Sequence, residues 1–563
     1  MPFSLGISYA HRLRGPSNCR TTCPPHSNPS GQARELHRPP TPMIAKRTGF
    51  ILGITASVLI LAAPVFPAFQ DAARVMIERE PAAAVHAAEL AFSMQAVLAL
   101  LILMVCWWLT EAIPLPATAL LPLVFLPWLH VTGLQNGAEI PFSLRTVLPN
   151  YASPVIFLFL GGFLLAGAMQ KWKLDRRFTL WFLTRGSLAN NTRSILLGVM
   201  AVTAFLSMWI SNTATAAMML PLGVGILSLL GASPGSSRFG TALMLGIAWS
   251  ASIGGVGTII GSPPNGIAVG ILDATLGGGP SYDSISFLDW MAFGIPYVVL
   301  FLPFTWWMIL KTNPPEFTLI EGGKQRMLEE QKKLGPVTSG EKRTIAVFSG
   351  TVFLWITNPF WGTLLPSTWA QQLTWVDEYA IGIAAGLTLF VIPVSFRKGI
   401  FVLDWRDTKF VDWGTLLLFG GGIALSDAMF KTGLASLIAS SFVGFFGTPS
   451  PLLLLFLVVV LVNFLTEVTS NTAVTSMMVP IVISIAVTSG EDPVTIVVGT
   501  ALAASMAFML PVATPPNAIM YSSGYIGLKD MIRSGFFLDI AAWFFTFLVV
   551  VLIAGGLFGI VTF

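Results

Sequence analysis

Charge is scarce in this chain. Only 10% of its 563 residues are charged, against about 25% in a typical soluble domain, too few to cover a surface of this size in water. Histidine and cysteine are scarcer still, at five and three residues, which leaves little for a metalloenzyme or a disulfide framework. Cys19 and Cys23 lie in a polar N-terminal stretch and Cys106 in an apolar run. The net charge of +4 is small and sits mostly in loops, where it reads as membrane orientation rather than as a nucleic-acid surface. Apolar residues, at 54% of the chain, are what is abundant. At about 20 residues per span such a chain holds roughly a dozen crossings. The expected class is an all-α polytopic membrane protein.

Residues 1–42 are rich in Arg, Ser and Pro, have Glu35 as their only acid and lack an apolar core, so they are no secretory signal. They have some transit-peptide character, but are expected to be a disordered tail, or an upstream start with Met43 the true beginning. Beyond them, apolar runs fall near 50–67, 92–110, 113–131, 150–170, 289–310, 344–360, 379–395, 412–430 and 534–560. Two longer apolar regions, 194–272 and 451–523, are interrupted by polar, Gly- or Pro-containing clusters. Lys and Arg gather in Lys171–Arg193, Lys311–Arg343, Arg397–Lys409 and the pair Lys529 and Arg533, and are absent from the loops around 273–288 and 358–378. The positive-inside rule places the basic segments in the cytoplasm. Parity then closes with eleven crossings and two re-entrant hairpins, one in each interrupted region, a cytoplasmic N-terminus and an external C-terminus.

The sequence repeats itself. Ser211-Asn212-Thr213-Ala214 recurs as Ser470-Asn471-Thr472-Ala473, each followed by Met-Met-x-Pro (Met218 to Pro221, Met477 to Pro480). Gly261-Ser262-Pro263-Pro264-Asn265 recurs as Ala513-Thr514-Pro515-Pro516-Asn517. Upstream, Gly161-Gly162, Ala168-Met169 and Lys171 match Gly421-Gly422, Ala428-Met429 and Lys431. The copy beginning near 150 runs outside to inside and the copy beginning near 412 runs inside to outside. An inverted-topology repeat of this kind points to a secondary transporter with its site at the repeat interface.

The interruptions carry the chemistry. Ser-Asn-Thr breaks an apolar run at the expected hairpin tip, and Pro-Pro-Asn removes two backbone donors and unwinds a span. Open backbone at membrane depth is tolerated where it lines a cavity or is buried in protein. Helix starts exposed there suit an anion, carbonyl ends suit a hard cation such as Na⁺, and Ser, Thr and Asn side chains serve either. No Lys or Arg occurs at 194–237, at 239–310 or at 432–528. A dianion bound between the repeats therefore needs helix ends and co-bound cations to offset its charge, which couples anion uptake to sodium.

On these paired, in-register Ser-Asn-Thr and Pro-Pro-Asn motifs, the chain from about 50 to 563 resembles the divalent anion:sodium symporter family of di- and tricarboxylate and sulfate carriers. The resemblance implies a homodimer in a lipid bilayer, each protomer having a scaffold and a mobile transport domain that work as an elevator. It divides the chain into scaffold helices at 43–148, a first repeat at 149–311 with hairpin 194–230 and broken helix 240–272, and a cytoplasmic loop at 312–343. Further scaffold helices follow at 344–411, then a second inverted repeat at 412–563 with hairpin 451–488 and broken helix 493–523. It implies at least two Na⁺ sites. The first uses Ser207, Ser211, Asn212 and Gly261, the second Thr466, Ser470, Asn471 and Ala513, with Gly261 and Ala513 contributing only backbone carbonyls. The substrate carboxylates would meet Asn212, Thr213, Ser262 and Pro263 from one half, and Asn471, Thr472, Thr514 and Pro515 from the other.

A lone Ser or Thr in a membrane helix most often bonds only a neighbouring helix, and a Pro pair can be a mere kink; duplication and inversion of both motifs argue for a site. Glu467, opposite Met208 in the other copy, is expected to brace its hairpin rather than carry a proton, because a carboxylate facing a dianion repels it. Asp427 is expected to pair with Lys431 at i,i+4, and Glu111, beside Trp107-Trp108, to mark a membrane boundary. His130 is the only histidine within or at the edge of a span and no acid pair lies in one span, so no membrane enzyme is expected. The reading is a sodium-coupled C4-dicarboxylate symporter (succinate, fumarate, malate) of a bacterial plasma membrane. The alternative is a sodium-independent exchanger or a proton-coupled carrier, with citrate or sulfate as cargo.

Overall fold

Proline, serine and aspartate at the starts of apolar runs set where many of the helices begin. The computed structural model describes residues 43–79, 86–185, 191–277, 282–319, 322–373, 375–448, 450–554 and 556; the expectations about residues 1–42 lie outside them. Sixteen helices matter for the site. They are α1 (Met43–Ala62), α2 (Ala87–Thr110), α3 (Pro154–Lys171), α4 (Thr192–Ser207), α5 (Asn212–Leu229), α6 (Arg238–Gly255), α7 (Pro263–Leu276), α8 (Phe287–Thr312), α9 (Ser339–Thr357), α10 (Glu378–Val391), α11 (Trp413–Lys431), α12 (Pro451–Val468), α13 (Asn471–Thr488), α14 (Pro493–Ala504), α15 (Pro515–Ser522) and α16 (Leu528–Val549). Among the described residues, nine helices are long and apolar enough to cross a membrane. Shorter apolar helices, among them α4, α10 and α14, supplement them.

Polar caps close other helix starts. Asn191 accepts from Arg193 N–H at the start of α4, Asp412 from Thr415 at α11 and Asp492 from Thr495 at α14, which satisfies donors that have no partner inside the helix. Ser286 and Asp289 form a reciprocal capping box on α8.

The two halves share a plan. α3 and α11 each end on a lysine, Lys171 and Lys431, and turn through a left-handed residue, Lys173 (φ 56°) and Gly433 (φ 82°), into an amphipathic helix, Leu174–Leu183 and Leu434–Phe446. Then come two helices joined by a short polar tip (α4–α5, α12–α13), a helix ending in a break (α6, α14), and a second segment starting on Pro-Pro (α7, α15). Every residue of α6 after Arg238 is buried, and so is every residue of α14 except Thr495. A helix apolar all round belongs inside protein, so these two form the inner core of each half. Gly161 of α3 faces Gly382 of α10, and Gly254 faces the Ala204 backbone, contacts that any Cβ would block.

Three local features escape a reading by hydropathy. The apolar run 113–131 is divided by its prolines into Leu115–Thr118 and Leu121–Trp128. A β-hairpin follows, Thr132–Gln135 with Ala138–Pro141 in antiparallel register, closed by Asn136-Gly137 with both φ positive, as a two-residue type I′ turn requires. The helix Pro67–Arg79 also lay outside the expected spans.

Candidate functional site

The tips and the breaks exist because their residues cannot continue a helix. Ser211 accepts from Ala214 N–H at 3.3 Å and starts α5. Thr514 caps α15 through Asn517 N–H, also at 3.3 Å. Pro263-Pro264 and Pro515-Pro516 occupy the first two helical positions of α7 and α15, where a missing N–H costs nothing. Thr469, at the second tip, donates its hydroxyl to the Trp108 carbonyl of α2 at 3.0 Å.

These four helix starts meet. α5 packs on α15 and α13 on α7, each hairpin arm against the broken helix of the opposite half. The starts of α5, α7, α13 and α15 together line one cavity of about 480 Å³, within the usual range for a small-molecule site. Asn212, Thr213, Ser262, Pro263, Asn471, Thr472, Thr514 and Pro515 all face it, as do Ser211, Gly261, Ser470 and Ala513. Ser207 and Thr466 do not: both are fully buried one layer behind the wall. The starts of α5 and α13 present backbone N–H groups, while those of α7 and α15, which open on two prolines, contribute mainly the partial positive charge of a helix end, so the cavity offers an anion four such ends. The two halves also touch directly, Ser262 Oγ lying 3.3 Å from Ser505 Oγ.

Behind the wall the groups are oxygens. Ser207 Oγ lies 2.7 Å from the Ala251 carbonyl and 2.7 Å from Asn212 Oδ1. The same atom of Asn212 is 3.0 Å from the Ala251 carbonyl and 3.2 Å from that of Gly261. An amide nitrogen turned into that place lies within donating distance of all three, with two hydrogens to give; an oxygen there accepts from the Ser207 hydroxyl and faces two carbonyls that a hard cation would bridge. In the other half Thr466 Oγ1 lies 2.6 Å from Asn471 Oδ1 and 2.8 Å from the Ala504 carbonyl. Each cluster holds neutral oxygen donors only, a donor set that suits an alkali cation. A Cβ at Gly261 would stand 2.5 Å from the Gly255 carbonyl and 3.0 Å from those of Met208 and Ser207, so the first cluster needs glycine there. The counterpart Ala513 carries a Cβ, and the second cluster is the roomier at that point.

Asn265 and Asn517, the last residues of the repeated motif, face neither anion nor cation cluster as donors; their amides tie the unwound strands to themselves. Glu467 accepts three backbone N–H groups, from Phe508, Met509 and Leu510, the bracing expected of it. Lys431 pairs with Asp427 at 2.7 Å.

Other residues were missed. Lys46 of α1 and Asp412 line the cavity, and so does Glu111, which was expected only to mark a membrane boundary. Lys46 lies outside both repeats, where it reads only as flanking charge, yet among the described residues it is the basic side chain of the lining. Glu111 sits at the end of α2 with φ 48°, and Asp412 caps α11. Packing brings Glu467 of α12 close to Asp539 of α16; the signal in the sequence was a buried acid within each of two apolar runs, each requiring a partner.

Comparison with known proteins gives a consistent frame. Residues 83–563 match the family model described as the sodium:sulfate symporter transmembrane region. The chain is 37% identical over 477 residues to a sodium-dependent dicarboxylate transporter, SdcS, of Staphylococcus saprophyticus, covering 82% of this chain and 87% of that protein. It is 36% identical over 463 residues to SdcS of Staphylococcus aureus, covering 81% and 85%. Among solved structures, the YdaH transporter of Alcanivorax borkumensis matches with TM-score 0.50 at 15% identity over 81% of this chain and 98% of that one. MtrF of Neisseria gonorrhoeae matches with TM-score 0.50 at 13% identity over 81% and 96%. At such identities these two speak for the fold alone.

Proposed function

The chain belongs to the sodium:sulfate symporter family, the divalent anion:sodium symporters, and on that premise we propose that this multi-pass membrane transporter is a sodium-coupled symporter of C4-dicarboxylates such as succinate, fumarate or malate. One observation carries the reading: four helix starts, two from each half, open onto one cavity backed by two clusters of neutral oxygens. The helix ends offset part of a dianion's charge, and two co-bound sodium ions offset the rest. The dicarboxylate meets Asn212, Thr213, Ser262 and Pro263 on one side and Asn471, Thr472, Thr514 and Pro515 on the other. One sodium ion takes Ser207, Ser211, Asn212 and the Gly261 carbonyl, the other Thr466, Ser470, Asn471 and the Ala513 carbonyl.

Sodium binds first and orders the tips, because Asn212 and Asn471 each serve both the ion and the anion. Coupling follows: the carrier crosses empty or fully loaded, and ions alone do not permit it to move. In this reading the α4–α5 and α12–α13 pairs are re-entrant hairpins and eleven segments cross. The half-helices and hairpins move as an elevator against a dimeric scaffold in a bacterial inner membrane, with the N-terminus cytoplasmic and the C-terminus outside. The protein carries its cargo unchanged and is not an enzyme.

The test is uptake of labelled succinate into proteoliposomes, with an inward sodium gradient or with choline in its place, and with unlabelled citrate and sulfate as competitors. Asn212→Ala and Asn471→Ala should each abolish sodium-dependent uptake while leaving expression and assembly intact. Uptake that ignores sodium and requires preloaded dicarboxylate would make the protein an exchanger and remove both sodium sites.

A further inference from the structure

α1 and α2 run antiparallel in a register that can be followed along both helices. Gln95 Nε2 donates to the Ala63 carbonyl at 2.9 Å. Further on, a Cβ at Gly53 would stand 2.9 Å from the Trp107 ring, and one at Gly49 would run into the Thr110 side chain. Gly49 and Gly53 have the spacing at which small residues let two membrane helices close on each other. Trp107 secures the contact: its indole N–H donates to the Phe50 carbonyl at 3.3 Å, and its ring stacks on that of Phe50 with centroids 5.2 Å apart. Earlier residues of α1 therefore oppose later residues of α2. Lys46 lies about one turn before Gly49 on the same face, and α2 ends at Thr110. The register thus carries Lys46 past the end of α2, level with residues 112–114, and these residues line the cavity as Lys46 itself does.

That position gives the lysine an electrostatic role. Among the described residues, the titratable side chains of the lining are Lys46, Glu111 and Asp412, and the four helix starts contribute none. Asp412 is engaged as a cap, accepting the Thr415 N–H at 3.0 Å and the Thr415 hydroxyl at 2.7 Å. Glu111, in the left-handed residue that closes α2, is the neighbour of Lys46 along the cavity wall. Two acids disfavour an anion at this wall, and the ammonium of Lys46 is the charge that favours one. Neither repeat supplies it. Lys46 also precedes residues 83–563, which match the family model, so the charge comes from this chain's own first helix.

The geometry points to Lys46 as an anion-recognising residue of the cavity: its ammonium meets a negative oxygen of the bound anion from outside both repeats, while the helix starts hold the anion from within them. The glycine contact with α2 fixes where that ammonium stands. Lys46 is therefore tied to the α1–α2 pair and not to the tips that carry the ion clusters. Its charge acts on the affinity for the anion and leaves the affinity for sodium alone. The inference rests on the anion reading of the cavity proposed above, and it holds whether the anion is a dicarboxylate, a tricarboxylate or sulfate.

The test uses the purified full-length protein with succinate, citrate and sulfate at saturating sodium. Lys46→Met keeps the length and the apolar stem without the charge, and Lys46→Arg keeps the charge. Calorimetric titration should give Lys46→Met a dissociation constant for succinate raised about fivefold, the upper end for a partly exposed ion pair. Lys46→Arg should stay within about twofold of wild type. Uptake should show the same rise in KM with little change in maximal rate, in sodium dependence or in thermal midpoint. Added choline chloride should weaken wild-type binding more than that of Lys46→Met, because it screens a contact the variant lacks. An unchanged dissociation constant in Lys46→Met, or a fall in maximal rate alone, would overturn the inference and leave Lys46 a brace at the end of α2. A wild type that binds an anion without sodium would remove the sodium sites, while the Lys46→Met comparison on that anion still decides this inference. A wild type that binds none of the three anions would overturn the anion cavity and this inference with it.

Discussion

Asn265 and Asn517 make the same pair of hydrogen bonds. Asn265 Nδ2 donates to the carbonyls ten and seven residues earlier, Gly255 at 3.0 Å and Thr258 at 2.8 Å. Asn517 Nδ2 donates to those ten and seven residues earlier in its own half, Ala507 at 3.1 Å and Leu510 at 3.1 Å. Each amide thus closes the unwound strand of its broken helix onto the helix that follows.

Replacing either by Ala leaves two buried carbonyls unpaired, and each orphaned group costs about 1–3 kcal/mol. Asn265→Ala and Asn517→Ala should lower the thermal midpoint of the purified protein by several degrees and reduce transport. If both melted like wild type, the amides would not be holding the breaks.

The buried hydroxyls behind the cavity should matter for the ion more than for the anion. Ser207→Ala and Thr466→Ala each remove one oxygen donor, a loss of roughly 1–1.5 kcal/mol, which corresponds to about a tenfold rise in the sodium concentration for half-maximal uptake. Thr466→Ser retains the oxygen and should behave nearly as wild type. Sodium titrations of proteoliposome uptake measure all three, and unchanged sodium dependence in both Ala variants would refute the clusters as ion sites.

The two halves should respond oppositely to one methyl group. Gly261→Ala forces a Cβ to 2.5 Å from the Gly255 carbonyl, closer than side chains pack, so the first cluster must distort and sodium-dependent uptake should be largely lost. Ala513→Gly removes a Cβ from the equivalent place and should leave most uptake. Equal tolerance at both positions would show that the crowding around Gly261 is relieved at little cost.

Stability should depend on pH through Asp175 in the basic segment 171–193. Burial pushes its carboxyl up to about 6 from the usual 3.8, against the opposing pull of the Arg176 N–H, at 2.7 Å, and the Arg176 charge. The folded protein then holds this proton more tightly than the unfolded chain. The contribution is present in full below the ordinary carboxylate range and is lost as pH rises through about 6. Asp175→Asn should raise the melting midpoint by roughly a few degrees well above pH 6 and change little near pH 4. Differential scanning fluorimetry across that window is the measurement, and a gain independent of pH would assign the effect to packing.

Much of the helical layout was legible because membrane helices announce themselves by length and apolarity and because each break is written in residues that end helices. The Ser-Asn-Thr and Pro-Pro-Asn motifs fall at helix starts for the reasons their chemistry suggests. The β-hairpin after Val131 and the amphipathic helices after Lys171 and Lys431 were not legible, since a hydropathy reading passes over a short turn or a half-polar helix.

What the sequence determined by itself is the duplicated set of polar interruptions in an apolar chain, and with it the need for a protein-lined cavity, because backbone opened at membrane depth has no water to satisfy it. Which other residues join the interruptions around that cavity was decided by tertiary structure alone. Lys46 enters it from α1, Ser262 meets Ser505 across the halves, and Asp539 reaches Glu467 from seventy-two positions along the chain. Periodicity reports the face a helix buries but not its partner, since every apolar face satisfies the same hydrophobic requirement. The partner is selected by side-chain packing and hydrogen-bond matching, and these exist only once the chain has folded.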